Sequence, residues 1–297
     1  MDQGIDRDRL ERTLRDAEAL PPCPAVLARV AEECRNPHSS ARDLGRVIAT
    51  DEALTSRLIK LVNSSYYGLR GTISTVTQAV VILGYQEIKN LVYSVQTEQL
   101  FRQGAAAGGV DVLALWDHSL QVAVLAREFC YRVRYPVPEE VFVSGIIHDI
   151  GQVLLSQLIG DPYRRFLART HADGQDLAVA EQSAFGTDHA ELGARLTAKW
   201  NFPASLELAV RHHHRLPEGQ AGLAGIAPLV LAANVVALVR DRGRSGEDIL
   251  AEMPAGVREL LRLDLDRLEE VLAAGAEEYG RIRGSFDLTK GSETEEA

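Results

Sequence analysis

The chain has 297 residues, 46% apolar and 25% charged, a globular composition that excludes wholesale disorder. With 32 basic against 42 acidic residues its formal charge is −10, which repels phosphate backbones and argues against a nucleic-acid partner. The length can bury one large core or two modest ones. Charges alternate from Met1 to Arg12, where a secretory signal would need a basic start and an apolar run, so the chain reads as cytoplasmic. Cys23, Cys34 and Cys130 are too few and too scattered for a disulfide framework or a metal knuckle, and read as reduced core residues.

Helix-type spacing of apolar residues recurs along the chain, and no pair of alternating runs is joined by Asn-Gly or Asp-Gly, so the expected fold class is all-α. Asp51 is the expected N-cap of a helix carrying the stripe Leu54, Leu58, Leu61 and Val62 and ending near Asn63. Ser74 or Thr75 starts the next, through Val76, Val80 and Leu83 to the stop at Gly84, and Ile88, Val92 and Val95 continue the pattern. Residues 1–102 thus read as an N-terminal helical bundle. The glycine-rich stretch 103–109 reads as a linker, 110–283 as a second helical domain, and 284–297 as a disordered acidic tail. Arg57 and Lys60 read as a solvated basic pair with no recognition helix behind them, which disfavours a DNA-binding regulator. The uncharged run from Ala221 to Val239 is long enough to span a bilayer, but Gly222, Gly225, Pro228, Asn234 and its many alanines make it a buried core helix preceded by a loop.

Seven of the eight histidines fall between His118 and His214. His118 continues an inward stripe with Val122, Leu125 and Phe129. His148-Asp149 stands inside an apolar helix introduced by Pro136, Pro138, Glu139 and Glu140. A carboxylate buried there must find a cation, a donor or a metal, because leaving it unpaired costs several kcal/mol. Asp188 with Glu191 resembles a capping box that sets His189 in the first turn of a helix, where the dipole favours neutral imidazole. After Pro203 the stripe Leu206, Val210 and His213 turns His213 inward. Neighbouring imidazoles diverge by about 100°, so at most two of His212, His213 and His214 share one centre, with His212 the solvent-facing one. Asn234 is an amide in the middle of the uncharged helix, either bonded to a backbone carbonyl or turned to the same centre as the histidines.

The ordered set His118, His148-Asp149, His189, His213-His214 and Asn234 resembles the HD superfamily of metal-dependent phosphohydrolases. The stretches Leu20-Pro-Pro-Cys-Pro24, Asp51 to Gly68 and Ile73 to Gly84 are similar to the opening of its HDOD branch, over a match running from about Leu20 to Val239. The resemblance implies a helical bundle packed on an HD-like helical domain and a bacterial signalling or regulatory role, often without catalysis. It implies His118, His148, Asp149, His189, His213 and His214 as metal ligands, with Asn234 where catalytic relatives carry an aspartate. Two departures weaken catalysis: Gln152 replaces a lysine that could neutralise a substrate phosphate, and Asn234 removes a negative charge from the metal site. The Asp-Gly-x-Gly-Tyr-Pro loop of the HD-GYP branch is missing after His214, so cyclic dinucleotide hydrolysis is not expected.

The favoured expectation is a signalling module whose HD-like half binds a metal or small ligand while the bundle contacts a partner. The alternative is a metal-dependent phosphohydrolase acting on a nucleotide or other phosphoester, with Asp149 as the bridging and catalytic residue. Mixed imidazole and carboxylate ligands suit iron, manganese or zinc. The expected partner is a signalling protein or a small phosphorylated ligand, with neither nucleic acid nor membrane involved.

Overall fold

A computed structural model describes residues 20–64, 67–105 and 110–283, and among these there is no strand. The expected 284–297 tail lies outside the described residues. The N-terminal part comprises α1 (Ala25–Arg35), α2 (Ala41–Ile48), α3 (Glu52–Val62), α4 (Val76–Leu83) and α5 (Tyr85–Ala105). Local chemistry sets their limits. Asp51 Oδ1 accepts from the Leu54 amide at 2.9 Å and Thr75 Oγ1 from the Gln78 amide at 3.2 Å, each satisfying a donor that has no partner within its helix. Leu54, Leu58, Leu61 and Val62 are buried as their spacing requires. Arg57 departs from the solvated reading: its guanidinium bonds the buried carboxylate of Glu98, which also holds Arg102 at 2.8 Å.

The remainder comprises α6 (Val112–Arg132), α7 (Pro138–Ile147), α8 (Ile150–Ile159), α9 (Asp161–Ala172), α10 (Leu177–Phe185), α11 (His189–Lys199) and α12 (Ala204–His212). A short 3₁₀ turn (Gln220–Leu223) leads into α13 (Ala227–Asp241), followed by α14 (Gly246–Glu252), α15 (Ala255–Leu260) and α16 (Leu265–Arg283). The uncharged run beginning at Ala221 is therefore the expected loop and core helix, with α13 buried along most of its length. The stretch among the described residues that is long and apolar enough to cross a membrane is instead Pro138–Ile159, and 83% of its apolar window is buried inside the protein.

Helix α5 runs three residues into the 103–109 segment and packs against α1, α3 and α4 as well as α7 and α8. The bundle and the second half are consequently fused along it. Tyr93 of α5 stacks on Phe202 at 4.4 Å, and Trp200 Nε1 and Lys199 Nζ donate to the carbonyls of Pro21 and Leu20 at 3.0 and 2.7 Å. One apolar core holds Leu27, Leu58 and Val92 together with Ile146, Leu192 and Val210, and so crosses the 103–109 segment. A second core lies between the other side of α6 and α13 to α16, around Phe129, Val230 and Val271. The cores thus divide between the two sides of α6.

Candidate metal centre

The segment His148-Asp149 is a break between α7 and α8, where the sequence suggests one continuous apolar helix. The cause is local. His148 Nδ1 donates to the Gly145 carbonyl at 2.7 Å, the acceptor that an uninterrupted helix would offer to the Asp149 amide. His213, at the C-terminal cap of α12, repeats the device with Nδ1 donating to the Val210 carbonyl at 2.6 Å. His189 Nδ1 is held by Glu181 Oε2 at 2.6 Å, and His118 Nδ1 lies 3.5 Å from Asp241 Oδ2. Four Nδ1 atoms are thereby occupied by oxygens, which turns the four Nε2 atoms towards one place.

At that place is Asp149. Its Oδ1 lies 3.2 Å from His189 Nε2 and 3.4 Å from His213 Nε2; its Oδ2 lies 3.2 Å from His148 Nε2 and 3.8 Å from His118 Nε2. His189 Nε2 is 3.2 Å from His213 Nε2 and 2.8 Å from His214 Nε2, and Asn234 Oδ1 is 3.0 Å from His118 Nε2. All seven residues singled out from the sequence converge. His212 stays out, with Nδ1 3.2 Å from the Arg215 carbonyl. The ligand atoms form two groups sharing Asp149: Asp149, His189, His213 and His214 in one, and His118, His148 and Asp149 in the other.

Helix packing this close depends on two glycines. A Cβ on Gly151 would stand 1.9 Å from the His189 carbonyl oxygen, and one on Gly145 would stand 2.3 Å from Ala123 Cα, so only glycine lets α8 meet α11 and α7 meet α6 at these points.

Burial alone would raise the Asp149 carboxyl, but His148, with His189 and His213 beside it, holds it well below the usual carboxylate range. Burial likewise opposes a charge on His189, yet the Glu181 carboxylate outweighs it and pushes the imidazole well up. The neutral imidazole expected from the helix dipole is thus overruled by a carboxylate that packing brings to Nδ1. His118 is raised against its burial by Asp241 and then Asp149. Burial pushes His213 down to about 4 and His214 well down, leaving both with free lone pairs at neutral pH.

Imidazole nitrogens 2.8 and 3.2 Å apart need a proton on His189 Nε2 or a cation between them, because facing lone pairs repel. Metal–nitrogen bonds of about 2.0–2.1 Å would put neighbouring ligands about 2.9 Å apart at an octahedral ion and about 3.4 Å apart at a tetrahedral one. The group around His189 matches this range. His148 Nε2 and Asp149 Oδ1 are buried and lack hydrogen-bond partners, as atoms intended for a metal would. The donor set therefore fits a divalent cation, and the looser His118 group fits a second one less well.

Two carboxylates that hold histidines of the cluster escaped sequence reasoning. Glu181 of α10 is fully buried, accepts from the His189 amide at 2.8 Å as well as its ring, and receives the hydroxyl of buried Tyr163. Asp241 closes α13 at the His118 side.

The sequence matches the HDOD domain family over residues 20–216. An uncharacterised protein of Treponema pallidum (strain Nichols) is 22% identical over 249 residues, 84% of this chain and 47% of that protein, so the chain spans about half the length of this curated relative. An HDOD domain protein of unknown function from Geobacter sulfurreducens superposes with a TM-score of 0.73 at 24% identity, covering 94% of this chain and 97% of that one. A candidate phosphohydrolase from Shewanella amazonensis SB2B gives 0.67 at 25% identity, covering 91% and 97%.

Proposed function

The chain belongs to the HDOD domain family, and from that premise we propose that it is a cytoplasmic regulatory module of a bacterial signalling system whose HD-like half holds a divalent metal, with weak or no phosphoester turnover. The observation that carries the reading is Asp149, a buried carboxylate facing His148 and His118 through one oxygen and His189 and His213 through the other. His118, His148, Asp149, His189, His213 and His214 would hold iron, manganese or zinc, and Asn234 would orient His118.

Two features favour regulation over turnover. The donors are largely enclosed, with His118 and His214 partly exposed, whereas a catalytic ion needs an open position for water and substrate. Buried Gln152 supplies no charge for a phosphate, and Asn234 adds none to hold a second cation. The bundle, fused to the ligand-bearing helices through α5, would pass the state of the centre to a signalling protein, or that of a small phosphorylated ligand.

A phosphohydrolase is the second reading, favoured by the two ligand groups sharing Asp149 and by likeness to the Shewanella protein. A bound divalent ion would supply an acidified water and polarise a phosphoryl oxygen. Within that reading Asp149 orients both groups and Glu181 keeps His189 turned inward.

Elemental analysis of protein purified without chelator, with turnover of bis-p-nitrophenyl phosphate, separates the readings. We expect stoichiometric transition metal that is lost in Asp149→Ala, and turnover at background. Metal-dependent turnover abolished in Asp149→Ala would establish the second reading, and metal-free wild-type protein would overturn both.

A further inference from the structure

Fourteen residues beyond His118 on α6, about 21 Å along the helix, lies a cleft that the metal centre does not use. It has a volume of about 550 Å³ and is lined by Arg132, Arg134, Arg262 and Arg267 around an apolar floor that includes Phe129 and Leu261. Four arginines lining one cleft run against the −10 charge of the chain. Arg132 is paired with Glu270 at 2.6 Å. Arg267 donates to the Arg262 carbonyl at 2.5 Å and lies 3.9 Å from Asp264. Arg134 and Arg262 form no ion pair among the described residues.

The backbone sets these two arginines apart. Arg134 has φ 54° and Arg262 φ 48°, the left-handed region that costs a residue with a Cβ about 1 kcal/mol or more. Each follows the C-terminal cap of a helix in the same bonded pattern. Tyr135 and Arg134 donate to the Cys130 and Tyr131 carbonyls at 3.0 and 3.1 Å, and Leu263 and Arg262 to those of Arg258 and Glu259 at 2.9 and 3.0 Å. Glycine is the ordinary occupant of this position, and the chain places Gly174 and Gly243 there after α9 and α13, with Asn201 after α11. Among the described residues arginine takes the position only after α6 and α15, two of the three helices that border the cleft. Backbone strain retained at both sites, where glycine would relieve it, implies a task for both side chains.

We propose that this cleft is a second ligand site, separate from the metal centre, that takes a phosphate monoester carrying an aromatic or apolar group, a purine mononucleotide being the simplest example. Arg134 and Arg262, without an ion pair among the described residues, offer the charge and forked donors that suit a phosphate dianion. The floor accepts the apolar part, and the volume lies within the usual range of small-molecule sites, about 300–1,000 Å³.

The test is calorimetric titration of the full chain with adenosine 5′-monophosphate, adenosine and inorganic phosphate, repeated on Asp149→Ala. The nucleotide should bind at least ten-fold more tightly than either fragment, more weakly as salt rises, and unchanged in Asp149→Ala. Arg134→Gly and Arg262→Gly suit the left-handed backbone, so each should keep or raise the melting temperature while weakening binding ten-fold or more. The proposal is overturned by any of four results: no nucleotide binding at millimolar concentration, phosphate binding as tightly as nucleotide, unaltered binding in both glycine variants, or loss of binding in Asp149→Ala. Capture of a glutamate-rich peptide in place of the nucleotide would equally overturn it.

Discussion

At the scale of single residues, the histidines of the candidate metal centre are distinguished by what holds their far nitrogens. His148 and His213 use carbonyls three residues back in their own helices, an arrangement that needs no distant partner. His189 depends on Glu181, eight residues earlier on another helix. Glu181→Gln keeps the shape but removes the charge that makes His189 basic, so metal affinity should fall about 10–100-fold in a competition titration against a chelator. The cue for Glu181 was present, a lone acid in the run Leu177-Ala-Val-Ala-Glu181, the same kind of cue that marked Asp149. It went unread because a glutamate on a helix ordinarily faces water, and nothing local says which face of α10 is covered. Asp149 was legible because two apolar runs flank it and histidine precedes it.

At the scale of elements, helix contacts decide whether the ligands meet. Gly151→Ala would drive a methyl into the His189 carbonyl, pushing α11 from α8. We expect a loss of about 3 kcal/mol in urea unfolding, together with loss of bound metal by elemental analysis. A second contact, between α5 and α7, is pH-sensitive. Glu87 receives the Tyr67 hydroxyl, and burial, then the charge of Glu139, raises its carboxyl to about 7. The folded state therefore binds more protons than the unfolded state between the ordinary glutamate value of 4.5 and about 7. The protonated carboxyl contributes its full stability below the lower value, and this is lost as pH rises through the upper one. The loss is at most about 3 kcal/mol. Glu87→Gln should flatten that slope and raise the melting temperature at pH 8, leaving it nearly unchanged at pH 4; an unaltered slope would assign the pH dependence to another group.

At the scale of the whole molecule, the shared core makes the two halves depend on each other. A fragment comprising residues 1–102 would expose Tyr93 and the side of α5 that α7 and α8 cover, so we expect it to lack cooperative thermal unfolding by circular dichroism, in contrast to the full chain. The sequence by itself determined the all-α class, the cap at Asp51, a cap at Ser74 or Thr75 and the stop at Gly84, because periodicity and capping are written in neighbouring positions, while the seven converging residues were joined into one set by the family resemblance. The structure alone decided the break at His148-Asp149, the partnership of Glu181 and Asp241 with their histidines, the crossing of the core over 103–109, and the gathering of four arginines around one cleft. Each of these joins residues that are remote in sequence or sets one hydrogen bond against another, and only the packed chain shows which contact prevails.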